Sequence, residues 1–304
     1  MADLLLIALL AIGLWLFLIA PGRRQRERRA FFEKRTFAHR GLYAKDQSVP
    51  ENSLAAFAAA VQAGYGVELD VQLTKDKRLV VFHDDTLKRA CGVDARLDAY
   101  TYGELRAMPL FGTNHRIPLF SDVLGVIDGR IPVIVELKSG GDWPGNCEST
   151  LSHLRACKGP YCVESFDPHI VRWFRKNAPD ILRGQLSEAY RFSSKAAPWY
   201  TALLMSRVLT NVFTRPQFIA YRIGPKCLSV RAAEWLGAMR VCWTARPEHD
   251  WGSLTRQNDC IIFEHFRPET RFDGGKAPLQ ETIEQLDRDL KAEQRTCLTD
   301  AGKK

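Results

Sequence analysis

FAHRGLYAKDQSVPENSLAAFAAAVQAGYGVELDVQLTKDKRLVVFHD, residues 37–84, is the stretch that decides how this chain is read. The apolar run up to His39 ends a short strand, and Arg40-Gly41 closes it. Residues 53–63 form an Ala-rich helix that Asn52 or Ser53 can cap and Gly64 can stop. Residues 67–73 form a strand in which Glu68 and Asp70 lie two apart and point to the same face. The turn 74–78 is too short to cross over to a parallel strand, which needs about a dozen residues. Residues 79–83 must therefore return antiparallel, as a hairpin arm that brings His83 back towards Glu68 and Asp70. Two imidazoles, two carboxylates and an arginine at strand ends suit a reaction centre better than a core.

Outward from this stretch, strands and helices alternate. Residues 131–137 are a nearly continuous apolar strand, as in a buried parallel sheet. Further strands are expected at 161–165, 182–186, 218–222, 240–244 and 260–264, with helices at 101–108, 121–127, 168–177 and 230–236. Alternation of this kind specifies an α/β fold, either a barrel or a doubly wound sheet. About eight strands plus the arm fit a (β/α)8 TIM barrel. In such barrels the chemistry sits at the C-terminal strand ends, and His39, Glu68, Asp70, Glu136, Lys138, Phe166 and Trp243 all fall at or near them.

The start of the chain is of a different kind. Residues 4–20, LLLIALLAIGLWLFLIA, carry no charge and approach the length needed to span a bilayer as a helix. Pro21-Gly22 ends the run, and a basic collar follows at 23–35, with seven Arg or Lys against two acids. A cleaved signal carries its positive charge before the apolar part, and here it comes after. The expected organisation is a transmembrane anchor at 1–22, the collar at 23–35, a barrel domain at 36–270 and a C-terminal helix and tail at 271–304, with the terminal helix at 279–293. The positive-inside rule puts the catalytic domain on the cytoplasmic side of an inner or plasma membrane, single-pass. The collar also suits anionic lipid heads. It supplies about +5 of the net +8, so the basic balance is no argument for a nucleic-acid partner, and none is expected. Eight cysteines form no CxxC pair, and Cys162, Cys242 and Cys260 in apolar runs read as buried, reduced thiols. Residues 190–215 show an apolar face at helical spacing, either a core-facing helix or an amphipathic lid at a membrane beside the barrel mouth.

Glu68, Asp70 and Glu136 are three hard oxygen donors on two strands, and all-carboxylate ligation favours Ca²⁺, Mg²⁺ or Mn²⁺ over zinc. The alternative is that these acids form buried ion pairs with Arg40 and Lys138. Histidine suits proton transfer near neutral pH, so His39 and His83 can act as an acid and base pair. Arg40 offers a planar fork for two oxygens of one anion. Glu51 suits a first helical turn or a pair with Arg40.

The ordered motifs H-R-G, P-E-N-S, E-L-D-V and H-D, followed by Glu136-Leu137-Lys138 and Ser165-Phe166-Asp167-Pro168, resemble the glycerophosphodiester phosphodiesterase family of the PLC-like phosphodiesterase superfamily. The resemblance covers residues 37–267, closely in the first half and loosely in the second. It implies a TIM barrel and a metal-dependent phosphoric diester hydrolase, acting on small glycerophosphodiesters or lysophospholipids to release sn-glycerol 3-phosphate or a lyso-type phosphate and an alcohol. It implies His39 and His83 as the catalytic pair, with Glu68, Asp70 and Glu136 holding one divalent cation. It further implies substrate-facing roles for Arg40, Lys138, Glu51, Phe166 and Trp243. The family usually has Trp-Thr-Val-Asn and later Thr-Asp, where this chain has Trp243-Thr244-Ala245-Arg246 and Phe263-Glu264, so the polar rim on that side is altered. The competing readings are a phospholipase-type phosphodiesterase on intact lipid and a non-catalytic, membrane-tethered scaffold for phosphorylated ligands. A decayed scaffold should have lost a histidine or a ligand acid, and all five are present.

Overall fold

A computed structural model describes residues 1–190 and 198–272. The strands are β1 (Arg35–His39), β2 (Gly66–Leu73), β3 (Leu79–Val81), β4 (Val133–Leu137), β5 (Tyr161–Ser165), β6 (Leu182–Ser187), β7 (Phe218–Arg222), β8 (Met239–Ala245) and β9 (Cys260–Phe263). All but β3 run parallel in the order β1-β2-β4-β5-β6-β7-β8-β9, and β1 closes the ring by pairing with both β2 and β9. β3 lies outside the ring, antiparallel to β2, as the hairpin arm. The expected eight-stranded barrel with an arm is the observed fold.

Local chemistry sets the element ends. Ser53 caps helix Leu54–Ala63 by accepting from Ala56 N, and Gly64 ends it at φ 78°. The arm stops at Val81, two residues before the expected end. The Gln72 side chain donates to the carbonyls of Phe82, His83 and Asp84 and curls the chain out of the sheet. β4 starts at Val133 rather than 131, since Pro132 has no N–H for the ladder. The helix expected at 101–108 is a single turn, Tyr102–Leu105, held by a Thr101–Glu104 capping box and stopped ahead of Pro109. Helix Pro168–Asn177 matches its expected bounds, while the helix expected at 230–236 runs Leu228–Trp235.

Large apolar side chains fill the lower barrel, chiefly Phe37, Ile134, Phe218, Met239, Val241 and Ile262. Phe32, from the basic segment, closes the floor and stacks on Phe37 at 5.8 Å between centroids. Gly184 is the only residue type that fits on β6, because any Cβ there would enter the Phe218 ring. Cys162 and Cys260 lie in this core and Cys242 is buried. Among the described residues every cysteine is free.

Helix Ala2–Ile19 is long and apolar enough to cross a membrane, and nearly all of it stands clear of the barrel. Only its last turns dock. Ile19 is buried against Val208, Val230 and Ala233, with Trp15 and Leu16 alongside. Its C-terminal carbonyls are satisfied by the barrel. Arg215 Nη1 donates to Phe17 O (2.7 Å) and Ala20 O (2.9 Å), and Asn211 Nδ2 donates to Ile19 O (2.8 Å). Within the 190–215 stretch, helix Trp199–Ser206 buries Ala202 and Met205 and leaves Trp199 and Tyr200 exposed. The core-facing reading holds on the Ala202 and Met205 side. The expected terminal helix at 279–293 lies outside the described residues.

Candidate active site

The parallel register assembles the site. His39 sits opposite Glu68, Asp70 opposite Glu136, and Glu136 opposite Glu164. A row of acids thus runs across β2, β4 and β5 at the barrel's C-terminal end. It faces a cavity of about 390 Å³ that His39, Arg40, Glu68, His83, Glu136, Phe166 and Trp243 help to line. Seven of the ten residues singled out from the sequence are therefore cavity residues.

Asp70, Lys138 and Glu51 stand behind that surface. Lys138 Nζ lies 2.7 Å from both Asp70 Oδ1 and Glu136 Oε1, and its hydrogen bond goes to Glu136. Asn52 donates to Asp70 Oδ2 at 2.9 Å, so Ser53 is the helix cap and Asn52 serves the site. Glu51 makes the expected pair with Arg40 (2.7 Å) and adds Arg89 (2.6 Å), and it is not among the cavity's lining residues.

Each histidine has its Nδ1 on a carboxylate. His83 Nδ1 is 2.6 Å from Asp84 Oδ1, and Arg89 holds Asp84 in turn at 2.7 Å. His39 Nδ1 is 2.8 Å from Glu264 Oε2, which also accepts from the Tyr43 hydroxyl at 2.8 Å, while Arg246 bonds Glu264 Oε1. This leaves Nε2 of each ring for the cavity. His39 Nε2 is 3.9 Å from Glu68 Oε2.

The electrostatics follow from burial and crowding. Burial lowers the His39 pKa below its usual value and neighbouring Arg40 adds to this, against the raising effect of Glu264. Burial pushes the Glu68 carboxyl well above the usual range, and the charges of Asp70, Glu136 and Glu164 push the same way. Glu164 is raised by burial and by Glu136 and Asp70. Asp70 is also buried, but Lys138, His83 and Arg40 hold it well below that range. Burial opposes ionisation of Glu264 too, and the His39 and Arg246 bonds overcome it.

These residues fit a hard divalent cation. One carboxylate oxygen from each of Glu68, Asp70 and Glu136 lies within 4.8 Å of the others. Oxygens opposed across an ion with bonds of 2.3–2.6 Å are about 5 Å apart. Burial first, and then the like charges around it, drive the Glu68 carboxyl towards protonation, and a cation would relieve that. Sequence reasoning missed Glu264, Tyr43, Arg89 and Glu164. Only Glu164 had a local signal, a single acid inside the otherwise buried strand YCVES.

The aromatic wall is Phe166 edge-on to Trp243 at 5.7 Å, with the Trp243 indole donating to Ala220 O at 3.0 Å. Arg222, Arg246 and His249 complete the rim.

Comparison with known proteins adds the following. The model of the glycerophosphoryl diester phosphodiesterase family matches residues 39–267. A glycerophosphodiester phosphodiesterase of Caldanaerobacter subterraneus is 34% identical over 187 residues, covering 58% of this chain and 74% of that protein. A human enzyme named lysophospholipase D GDPD1 is 35% identical over 127 residues, 38% of this chain and 39% of its own. Among solved structures, an Oleispira antarctica phosphodiesterase in complex with the product sn-glycerol-3-phosphate superposes with a TM-score of 0.61 at 22% identity, over 78% of this chain and 94% of that one. A Thermotoga maritima glycerophosphodiester phosphodiesterase superposes with a TM-score of 0.57 at 23% identity, over 75% and 93%.

Proposed function

The chain belongs to the glycerophosphoryl diester phosphodiesterase family, and from that premise we propose a metal-assisted hydrolysis of glycerophosphodiesters in which His39 is the base and His83 the acid. The observation that carries this reading is the pair of histidine–carboxylate dyads on opposite flanks of one acid-lined cavity. Glu68, Asp70 and Glu136 would hold the cation, Ca²⁺, Mg²⁺ or Mn²⁺, with Asn52 and Lys138 fixing Asp70 from behind. When bound, it neutralises diester charge and eases deprotonation of an attacking hydroxyl.

The residues divide the remaining work. His39 is kept neutral by burial and by Arg40, and Glu264 fixes its tautomer, so Nε2 is free to accept a proton from water or from the glycerol hydroxyl. His83 lines the cavity with its Nδ1 on Asp84, so its Nε2 side is placed to give a proton to the departing alcohol. Arg40, which lines the cavity and is braced by Glu51, would meet the phosphate. Products are sn-glycerol 3-phosphate and the free alcohol.

A lysophospholipid remains a specific second substrate. Helix Trp199–Ser206 sits over the ends of β6 and β7, where the Ser187 hydroxyl donates to Met205 O and Cys227 Sγ to Ser206 O. It leaves Trp199 and Tyr200 open for an acyl chain. Helix Ala2–Ile19 would serve as a single-pass anchor with the barrel cytoplasmic.

The test is release of glycerol phosphate from glycerophosphocholine, and of choline from lysophosphatidylcholine, after chelation and with each ion restored singly. Return of activity with one ion, absent in His39→Ala and Glu68→Ala, supports the mechanism. Full activity in the chelated protein, or none with any ion, overturns it.

A further inference from the structure

A second cleft, of about 570 Å³, opens at the other end of the barrel, where the chain enters β8 and β9. Three acids border it and each has its own cation. Glu33 is held by Arg29 at 2.8 Å, Glu234 by Lys226 at 2.6 Å and Asp259 by Arg240 at 2.6 Å. Arg24, Arg26 and Arg231 also border it, and they have no carboxylate partner among the described residues. The Arg24 guanidinium packs on Gly237, at a place where any Cβ would collide with it, so this arginine is seated rather than trailing. The cleft therefore carries three unneutralised guanidinium groups.

The helix that forms one wall has two distinct sides. Val230 and Ala233 pack inward against Ile19, the docked end of the apolar N-terminal helix. Leu228, Arg231 and Trp235, at spacings of three and seven, share the outward side. Leu228 is 70% exposed and Trp235 79%. An exposed leucine, arginine and tryptophan in one line are the groups that a bilayer's interface accommodates.

Helix length fixes where that line would sit. Ala2–Ile19 is about 27 Å long at 1.5 Å per residue, just under the hydrocarbon thickness of ~30 Å. A helix that short spans only if its docked last turn reaches the membrane edge. Arg24 follows that turn by five residues, and Leu228–Trp235 packs on it.

We propose that the outward side of helix Leu228–Trp235, with Arg24 and Arg26, lies on an anionic bilayer surface, and that the cleft seats the phosphate of a lipid headgroup. A soluble phosphate could use the arginines but would leave Leu228 and Trp235 without a role, so the occupant is the lipid surface. The inference rests on the proposed insertion of Ala2–Ile19. It adds a defined face to that anchor and holds the barrel in one orientation on the membrane.

The experiment uses the full chain reconstituted into phosphatidylcholine vesicles with and without phosphatidylglycerol, the acyl chains brominated near the carbonyl. Emission of Trp235 is taken as the difference between the wild type and Trp235→Phe. In anionic brominated vesicles that emission should fall at least twofold relative to unbrominated ones. Arg24→Glu with Arg231→Glu should restore it while leaving hydrolysis of glycerophosphocholine unchanged. Unquenched Trp235 in a protein that still floats with the vesicles overturns the face and leaves the anchor standing. A protein that fails to float removes the premise and the proposal with it. A Trp235 response to millimolar inorganic phosphate, without quenching by anionic vesicles, reassigns the cleft to a soluble anion and overturns the lipid assignment.

Discussion

The two histidines of the proposed site are held on carboxylates by opposite means. On the hairpin side His83 takes its carboxylate from the next residue, Asp84. On the closing side His39, on β1, takes its carboxylate from Glu264, just past β9 and 225 residues away. The first dyad is local and half-open, with the Asp84 side chain 21% exposed; the second is made by barrel closure and is drier, with Glu264 at 4%. The difference teaches that one flank could form from a peptide's own geometry, whereas the other exists only when the first and last strands pair.

The largest effect should separate the roles of the histidines themselves. His39→Ala and His83→Ala should each lower kcat on glycerophosphocholine by roughly 10²–10⁴-fold, the usual worth of a positioned acid or base. A diester with a p-nitrophenolate leaving group needs no proton on departure. On it the His83→Ala deficit should shrink to within about tenfold of wild type, while His39→Ala stays low. Equal losses on both substrates would end the assignment of base to the closed flank and acid to the open one.

Next in size is the loss of each carboxylate. Glu264→Gln should cost roughly 10–10³-fold in kcat, because an amide no longer fixes the His39 tautomer or supports its charged form. Asp84→Asn should cost less, since water reaches that dyad and Arg89 remains beside it. If Asp84→Asn proves the more damaging change, burial is not what distinguishes the flanks.

The contrast also marks what could be read from the chain. Features set within a few residues were legible. The arm followed from a turn too short for a crossover, Glu68 and Asp70 shared a face by strand alternation, and His83 was expected to return towards them. Glu136 was legible as an acid at the C-terminal end of an apolar strand. Glu264 was not, since nothing in the sequence links it to His39, and it stood only as a departure from a family pattern. Arg89 was hidden for the same reason, because its bonds to Glu51 and Asp84 depend on where the arm folds back. Phe32 belonged to a segment read as a basic collar, while in the fold it closes the barrel floor.

The pH profile offers a smaller and more specific test of the closed flank. Burial lowers the His39 pKa below 6.5, first of all by desolvation, and Glu264 opposes that lowering. With His39 as the proposed base, active when neutral, the acid limb of kcat/KM should lie below the usual histidine range. Removing the Glu264 charge lowers the His39 pKa further, so in Glu264→Gln the limb moves to still lower pH as the plateau falls. Stability should follow the same sign. The folded state binds fewer protons at His39 than the unfolded state, so Tm falls as pH drops from about 6.5. Glu264 is held low in the fold, and its contribution, present above the unfolded value, is lost at more acid pH. A limb that moves up in Glu264→Gln would show that the carboxylate does not act on His39.

The smallest effect concerns Arg246, and it bears on why this rim departs from its family. Arg246 and Glu264 looked like two separate losses in the sequence, yet they bond to each other, and Glu264 passes the contact on to His39. The Arg246 side chain is 51% exposed, so water screens much of its attraction. Such a pair is worth about 0.5–1 kcal/mol, or two- to fivefold in rate. Arg246→Ala should therefore lower kcat by that factor in the wild type and leave Glu264→Gln almost unchanged, because its action runs through the carboxylate. If it instead raises KM by the same factor in both backgrounds, Arg246 meets the substrate directly. The two departures would then be a specificity change lying beside an orienting carboxylate, and not a single exchanged pair.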